Sequence, residues 1–194
     1  MIYGNYYDKY GSNNKIESFI VSNYFKKLQI LLKDLDYKTI LDIGCAEGFV
    51  TNEISGIKEC DITGIDLSAR DISEAKKQYP YLRFIEGDIY KLPFNSKSFD
   101  MVIALEVLEH LENPEIALEE IQRVAKKWIL FSVPIEPLWR ILNILRGKYM
   151  KRMGNTPGHL NHWLPGDFTR FIKYYFVVDK YIKSFPWILV LCSS

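Results

Sequence analysis

The chain has 194 residues, with 25 Lys plus Arg against 24 Asp plus Glu, a formal net charge of +1, and a hydrophobic share of 48%. That length fits one domain, and the apolar content, with 13 Tyr, 11 Phe and 4 Trp, excludes a disordered chain. The near-neutral total gives no bulk electrostatic argument for nucleic acid. It does hide an asymmetry: residues 136–194 hold nine Lys/Arg and three Asp/Glu, so they carry +6 and the first 135 residues carry −5.

Cys45, Cys60 and Cys192 are odd in number and far apart, which argues against a disulfide framework or a zinc ribbon. The N-terminus has no apolar signal core. The longest apolar run, 185–192, falls far short of the ~20 residues that a spanning helix needs. The expected location is therefore the reducing cytoplasm.

In chain order, a helix is expected over 16–32, then a strand at 39–43 (TILDI) and a helix at 48–55. A strand at 61–65 (DITGI), a helix at 69–79 and a strand at 82–85 (LRFI) follow. Next come a strand at 100–105 (DMVIAL), a helix at 114–125 opened by Pro114, and a strand at 128–133 (WILFSV). This alternation predicts an α/β fold of right-handed βαβ units around a parallel sheet.

Past Val133 the pattern changes. Residues 137–153 read as one basic amphipathic helix with Leu138, Leu142, Leu145, Tyr149 and Met153 on its apolar stripe. A loop punctuated by Gly and Pro covers 154–166, a short helix 167–174, and two β-rich runs, 176–183 and 187–192, are joined tightly enough to be antiparallel. The whole reads as a single domain, 1–194, with an N-terminal helical arm over about 1–35 and a basic cap insertion over about 136–166.

The chemistry gathers where the first strand ends. LDIGCAEG, residues 41–48, is a strand running into a Gly-rich turn and then a helix, which lets backbone approach a ligand and presents free amides to it. It is neither the G-x-G-x-x-G of dinucleotide folds nor a phosphate loop with Lys-Ser/Thr. Asp66 ends the second strand 18 residues beyond Gly48, where its carboxylate can accept from both hydroxyls of a ribose. Asp88 follows the third strand and Glu106 the fourth. Carboxylates at successive strand ends suit a nucleoside held in the crevice of an open parallel sheet.

Together LDIGCAEG, GIDLS, the run from EGDIYKLPF through EVLEHLENPEIALEEIQRV, and the strand ending SVP resemble the class I S-adenosylmethionine-dependent methyltransferases of the small-molecule type. The resemblance implies a Rossmann-like three-layer sandwich with a seven-stranded, mostly parallel sheet of order 3-2-1-4-5-7-6 and an antiparallel last strand. It implies S-adenosyl-L-methionine as cofactor. Gly44, Cys45, Ala46 and Gly48 would lie on its methionine side, Asp66 on the ribose, and Leu67, Asp88 and Ile89 around the adenine, with Asp42 a further cofactor-binding residue at the end of the first strand. Leu105 and Glu106 would flank the methionyl end. Ala46 departs from the family, which usually has a glycine there.

On the acceptor side the candidates are the three histidines. His110 follows the fourth strand and either staples its loop or acts in catalysis. His159 and His162, in GHLNHW, either orient an acceptor or a metal with Trp163 or are satisfied loop residues. No metal is assigned. Glu109 is read as a surface or helix-start carboxylate. Tyr3, Tyr6, Tyr7 and Tyr10 form either an aromatic lid over the sulfonium or a packing strip.

Nucleic-acid acceptors are disfavoured: the fourth strand runs into ALEV rather than an Asp/Asn-Pro-Pro-aromatic tetrad, and no cysteine follows a proline. The expected acceptor is small or lipid-linked and anionic, methylated at oxygen ahead of nitrogen or carbon. Arg140, Arg146, Lys148, Lys151 and Arg152 beside Trp139 could hold it, and the 137–153 helix could rest on an anionic membrane. The alternatives are a non-catalytic cofactor-binding module of the same fold and an NAD-dependent oxidoreductase. The sequence carries no signal of oligomeric state.

Overall fold

The computed structural model describes residues 15–145, 147 and 149–194, and the four N-terminal tyrosines lie outside these described residues. Helix α1 (Lys15–Leu32) precedes β1 (Thr39–Ile43), α2 (Phe49–Ser55), β2 (Asp61–Asp66), α3 (Ala69–Gln78), β3 (Arg83–Glu86) and β4 (Phe99–Leu105). After a 3-10 turn at Leu108–His110 come α4 (Pro114–Val124), β5 (Ala125–Pro134), α5 (Leu138–Leu145) and a second 3-10 turn at Met150–Arg152. Helix α6 (Pro165–Tyr175) and strands β6 (Val177–Ser184) and β7 (Trp187–Ser193) complete the order.

The seven strands form one sheet in the order β3-β2-β1-β4-β5-β7-β6, as expected. Pairs β1–β2, β1–β4, β2–β3 and β4–β5 are parallel, and β7 runs antiparallel to both β5 and β6. Because side chains alternate along a strand, each central strand feeds two cores. Leu41, Ile43, Val102, Ala104, Ile129 and Phe131 pack on the face covered by α4 and α6, which contribute Leu118, Ile121, Val124, Phe168 and Ile172. Ile40, Met101, Ile103, Leu130 and Leu189 pack on the other face, under Tyr24, Leu28 and Leu32 of α1, Ile54 of α2 and Trp139 of α5. Both faces of the sheet are thus covered by helices, as a parallel sheet requires.

Strand β5 is longer than expected. It starts directly at the end of α4, and its exposed Lys126 and Lys127 interrupt the apolar pattern that marks its interior. The larger departure is the cap. The amphipathic pattern over 137–153 does not make one helix: α5 stops at Leu145, and Gly147 adopts φ +67° with its amide bonded to the Ile144 carbonyl at 2.9 Å. A left-handed glycine just past a helix end is a standard stop. The apolar stripe is also not the buried face. Trp139 and Asn143 face inward, whereas Leu145 is 77% and Met153 73% exposed. Trp139 is therefore a core residue, its Nε1 donating to Thr156 Oγ1 at 2.9 Å, rather than a companion of the basic side chains. Asn143 Nδ2 donates to the Gly154 carbonyl and to Thr156 Oγ1, so α5 anchors the loop that follows it.

Candidate active site

The site begins with a chain reversal that only certain residues tolerate. Leaving β1, Gly44 takes φ +73°, Ala46 φ +46° and Gly48 φ +81°. A Cβ on Gly44 would lie 2.5 Å from Val107 Cγ2, and one on Gly48 would lie 2.6 Å from Phe84 Cζ. Both glycines are thus required by conformation and by space. Ala46 accepts a left-handed conformation that costs an L-residue about 1–2 kcal/mol. It is held there by its own amide, which donates to Asp66 Oδ2 at 2.9 Å.

Asp66 closes the turn onto β2. Its Oδ1 accepts from the Ser68 amide at 2.8 Å, and its Oδ2 from Ala46. Burial pushes its carboxyl above the ordinary range, and these amides oppose that shift. Each carboxylate oxygen has two acceptor positions, so the Ser68 and Ala46 amides do not saturate the group. The Gly87 amide donates to the Asp66 backbone carbonyl at 2.9 Å and brings the β3 exit alongside. There Asp88 is exposed, accepting from the Tyr90 amide at 2.9 Å, Leu67 is half exposed, and Ile89 packs partly against the core.

Asp42 is buried, and Thr51 of α2 donates to its Oδ2 at 2.6 Å. Burial pushes its carboxyl from 3.8 up to about 7, against the Thr51 hydrogen bond and with a smaller push from Asp66. Cys45 is buried beside them, and burial holds its thiol well above the ordinary value, so it is no nucleophile. Leu105 is buried at the end of β4, and Glu106 follows it at φ +61°. Glu106 Oε1 accepts from Ser132 at 3.1 Å and Oε2 from Trp187 Nε1 at 2.6 Å. Since Ser132 gives its only proton to Glu106, Tyr24 must be the donor in its 3.0 Å contact with Ser132 Oγ. Tyr24, Thr51, Ser132 and Trp187 carry no sequence motif that would have singled them out.

The acceptor side is built by a long-range docking. The amides of Leu160 and Asn161 both donate to the Glu109 carbonyl, at 2.8 and 3.0 Å. Asn161 Nδ2 donates to the carbonyls of Leu108 and Leu111, and His110 Nδ1 lies 3.0 Å from the Gly158 carbonyl. This brings the three predicted histidines together: the rings of His110 and His159 are 4.8 Å apart and those of His159 and His162 6.5 Å. Trp163 is not part of that group, because it stacks on Phe171 at 5.8 Å and packs against Phe168.

Two carboxylates at this group escape a local reading of the sequence. Glu109, expected at the surface, is 1% exposed, and Glu136 is 5% exposed with His162 Nδ1 3.6 Å from its Oε1. Burial raises the Glu136 carboxyl, opposed by His162 and Arg140. A loop 50 residues later docks on Glu109 through the Glu109 backbone carbonyl.

Comparison with known proteins agrees with this geometry. Residues 41–130 match the family described as Methyltransferase domain. The malonyl-[acyl-carrier protein] O-methyltransferase of Legionella pneumophila is 31% identical over 60% of this chain and 42% of its own length. A sterol 24-C-methyltransferase of Gibberella zeae is 32% identical over 48% of this chain and 26% of its own. The crystal structure of magnesium protoporphyrin IX methyltransferase from Synechocystis, solved with bound SAH, superposes with a TM-score of 0.71 at 18% identity, covering 97% of this chain and 92% of that one. With the glycine turn, the Asp66 clasp and the 3-2-1-4-5-7-6 sheet all in place, the chain is similar to the class I S-adenosylmethionine-dependent methyltransferases, and residues 41–130 carry the family match. It spans less than half the length of these curated relatives.

Two outcomes follow from this geometry. Gly44→Ala should cost about 1–3 kcal/mol of folding stability, read by urea denaturation, because it combines a left-handed alanine with the Val107 clash. In the cofactor-free protein, raising the pH from about 4 to about 7 strips the Asp42 proton from the unfolded chain before the folded one, so stability falls across that window. Asp42→Asn should remove that part of the fall in Tm. An unchanged Tm–pH profile in the variant would show that Asp42 does not titrate near 7.

Proposed function

We propose that this chain transfers the methyl group of S-adenosylmethionine to a small or lipid-linked, anionic acceptor, at oxygen ahead of nitrogen or carbon. The observation that carries the reading is the pairing of the glycine turn and Asp66 with three imidazoles docked beside the same strand ends. S-adenosylmethionine supplies an electrophilic methyl whose leaving group is a neutral thioether. The work left to the protein is to bind, align and exclude water.

In this reading the ribose hydroxyls donate to the open positions of Asp66. Asp88 and Ile89 border the adenine, with Leu67 beside them. The buried Asp42 offers its carboxylate to the cationic end of the cofactor, so binding favours its ionised form, releases a proton and strengthens with rising pH up to about 7. Leu105 and Glu106 flank the methionyl end, where Ser132 and Trp187 fix the carboxylate in place.

His110, His159 and His162 act on the acceptor. A carbonyl can only accept, so His110 donates from Nδ1 to the Gly158 carbonyl, and in the neutral ring Nε2 is the basic nitrogen. Such a group is useful when the nucleophile carries a proton, which favours a hydroxyl or carboxyl acceptor. The relatives act on acceptors as different as an acyl-carrier-linked acid and a sterol, by their names. The choice of oxygen here therefore rests on the histidines.

The cap supplies the anionic and lipid preference. Ile141, Ile144, Leu145, Tyr149, Met150 and Met153 are exposed along α5 and the 3-10 turn, beside Arg140, Lys151 and Arg152. Apolar side chains in such number on a basic surface suit an anionic lipid interface. No helix among the described residues is long and apolar enough to cross a membrane, so any such contact is peripheral.

Turnover is measured as S-adenosylhomocysteine released with fractionated cell metabolites. His110→Ala and His159→Ala should lower turnover at least about tenfold while the cofactor Kd changes little, as expected for loss of acid–base assistance. Unchanged turnover in both would remove the histidines from the reaction. The chain should float with liposomes containing anionic lipid at low salt and be released at high salt. Salt-insensitive or absent binding would end the membrane part of the reading.

A further inference from the structure

The same corner of the molecule has the composition of a metal centre. Ligand atoms of Glu109, His110 and His159 all lie within 4.8 Å of one another, and those of Glu136, His159 and His162 form a second such group that shares His159. We propose that Glu109, His110 and His159 bind one divalent transition cation of the zinc class, with Glu136 and His162 as its outer partners.

Three observations carry this. The first is donor type and spacing. Two imidazoles and a carboxylate are the nitrogen and oxygen donors that zinc-class ions prefer over magnesium or calcium. Ligand atoms on a tetrahedral ion with bonds of about 2.1 Å sit about 3.4 Å apart, so the 4.8 Å limit leaves only small side-chain rotations to close the site.

The second is the state of His110. Its Nδ1–H is committed to the Gly158 carbonyl at 3.0 Å, which is how metal-binding imidazoles are commonly oriented, and this makes Nε2 the ligating nitrogen in the proposed site. The third is enclosure. Glu109 is 1%, Glu136 5% and His159 8% exposed, so most of the donor groups gather away from bulk water, where a bound ion is held and shielded.

The site is held by structure outside itself. The 3-10 turn at Leu108–His110 is fixed to β4, and the 158–161 backbone is bonded to it through Glu109, His110 and Asn161. Val107, which abuts the cofactor turn at Gly44, immediately precedes the turn. Three protein ligands leave a coordination position for water or an acceptor oxygen. With the cation in place, the proton acceptor on this side would be a hydroxide held by the cation, which becomes water on taking the acceptor's proton, rather than an imidazole, a refinement that rests on the methyl-transfer reading. The metal site itself does not depend on that reading.

The test uses the full 194-residue chain, stripped with a chelator and dialysed against zinc alone, with bound metal counted. One zinc per chain is expected, and cobalt in its place should give a visible absorption spectrum. His159→Ala and Glu109→Gln should each weaken zinc binding more than about tenfold, with S-adenosylmethionine binding retained as the measure of an intact fold. Sub-stoichiometric zinc, wild-type zinc affinity in both variants, or a loss confined to His162→Ala and Glu136→Gln would overturn the assignment. Should a variant fail to fold, the wild-type chain decides. Zinc should protect His110 and His159 from diethyl pyrocarbonate, and equal modification with and without zinc would overturn the site. Stoichiometric zinc without methyl transfer would overturn the proposed function and leave the metal site standing.

Discussion

The backbone carbonyl of Ile65 organises the cofactor half of this molecule. It accepts from the amides of both Gly44 and Cys45, at 2.8 and 3.2 Å, at the point where β1 turns away from the sheet. That shared acceptor brings the turn against the end of β2 and sets the Ala46 amide over Asp66. The left-handed conformations at 44, 46 and 48 and the removal of two Cβ atoms follow from the tightness of this reversal. So does the burial of Asp42, which the turn and α2 enclose between them with Thr51 as its fixed donor. A carboxyl buried in that way is poised between charge states near neutral pH, and a cationic ligand can tip it.

A second organising contact lies across the strand ends. The loop after α5 donates four hydrogen bonds from Leu160 and Asn161, and receives one from His110, across about fifty positions of sequence. The fold proper supplies one wall and the basic insertion the other. The negative charge of the first 135 residues and the positive charge of the remainder therefore meet at this seam. Within the seam, however, the buried charges reverse the regional pattern: Glu136, one of only three acids in the basic part, is one of those turned inward.

Most of the sheet was legible in the sequence because its strands are short apolar runs bounded by Gly, Pro or Asp, and because helix-period segments separate them. Asp66 was legible for the same reason, since a strand end fixes its position. The cap was misread: Leu138 through Met153 recur at helical spacing, but Gly147 ends the helix and the side of α5 that packs inward presents Trp139 and Asn143. A polar Asn makes a poor marker of a buried face, yet it is the residue that can satisfy the Gly154 carbonyl. Glu109 and Glu136 were illegible for a different reason. Nothing near either residue predicts burial, and the loop that docks beside them is distant in sequence. The histidines were found as residue types, while their mutual approach belongs to the docking.

The position of β7 has a consequence for how the chain reaches this state. The seventh strand in chain order is not an edge but an interior strand, paired to β5 on one side and to β6 on the other. Until residues 187–193 are available, β5 presents an open, mostly apolar edge at Ile129–Val133, and β6 has no strand to pair with. During vectorial synthesis the first five strands can assemble in sequence, yet they wait with a sticky border exposed. Closing the sheet requires β7 to pair on both sides, and its first residue, Trp187, also supplies the hydrogen bond to Glu106 at the end of β4. The last strand of the sheet thus fixes a side chain at the exit of the fourth, and the two ends of the chain order meet at that carboxylate.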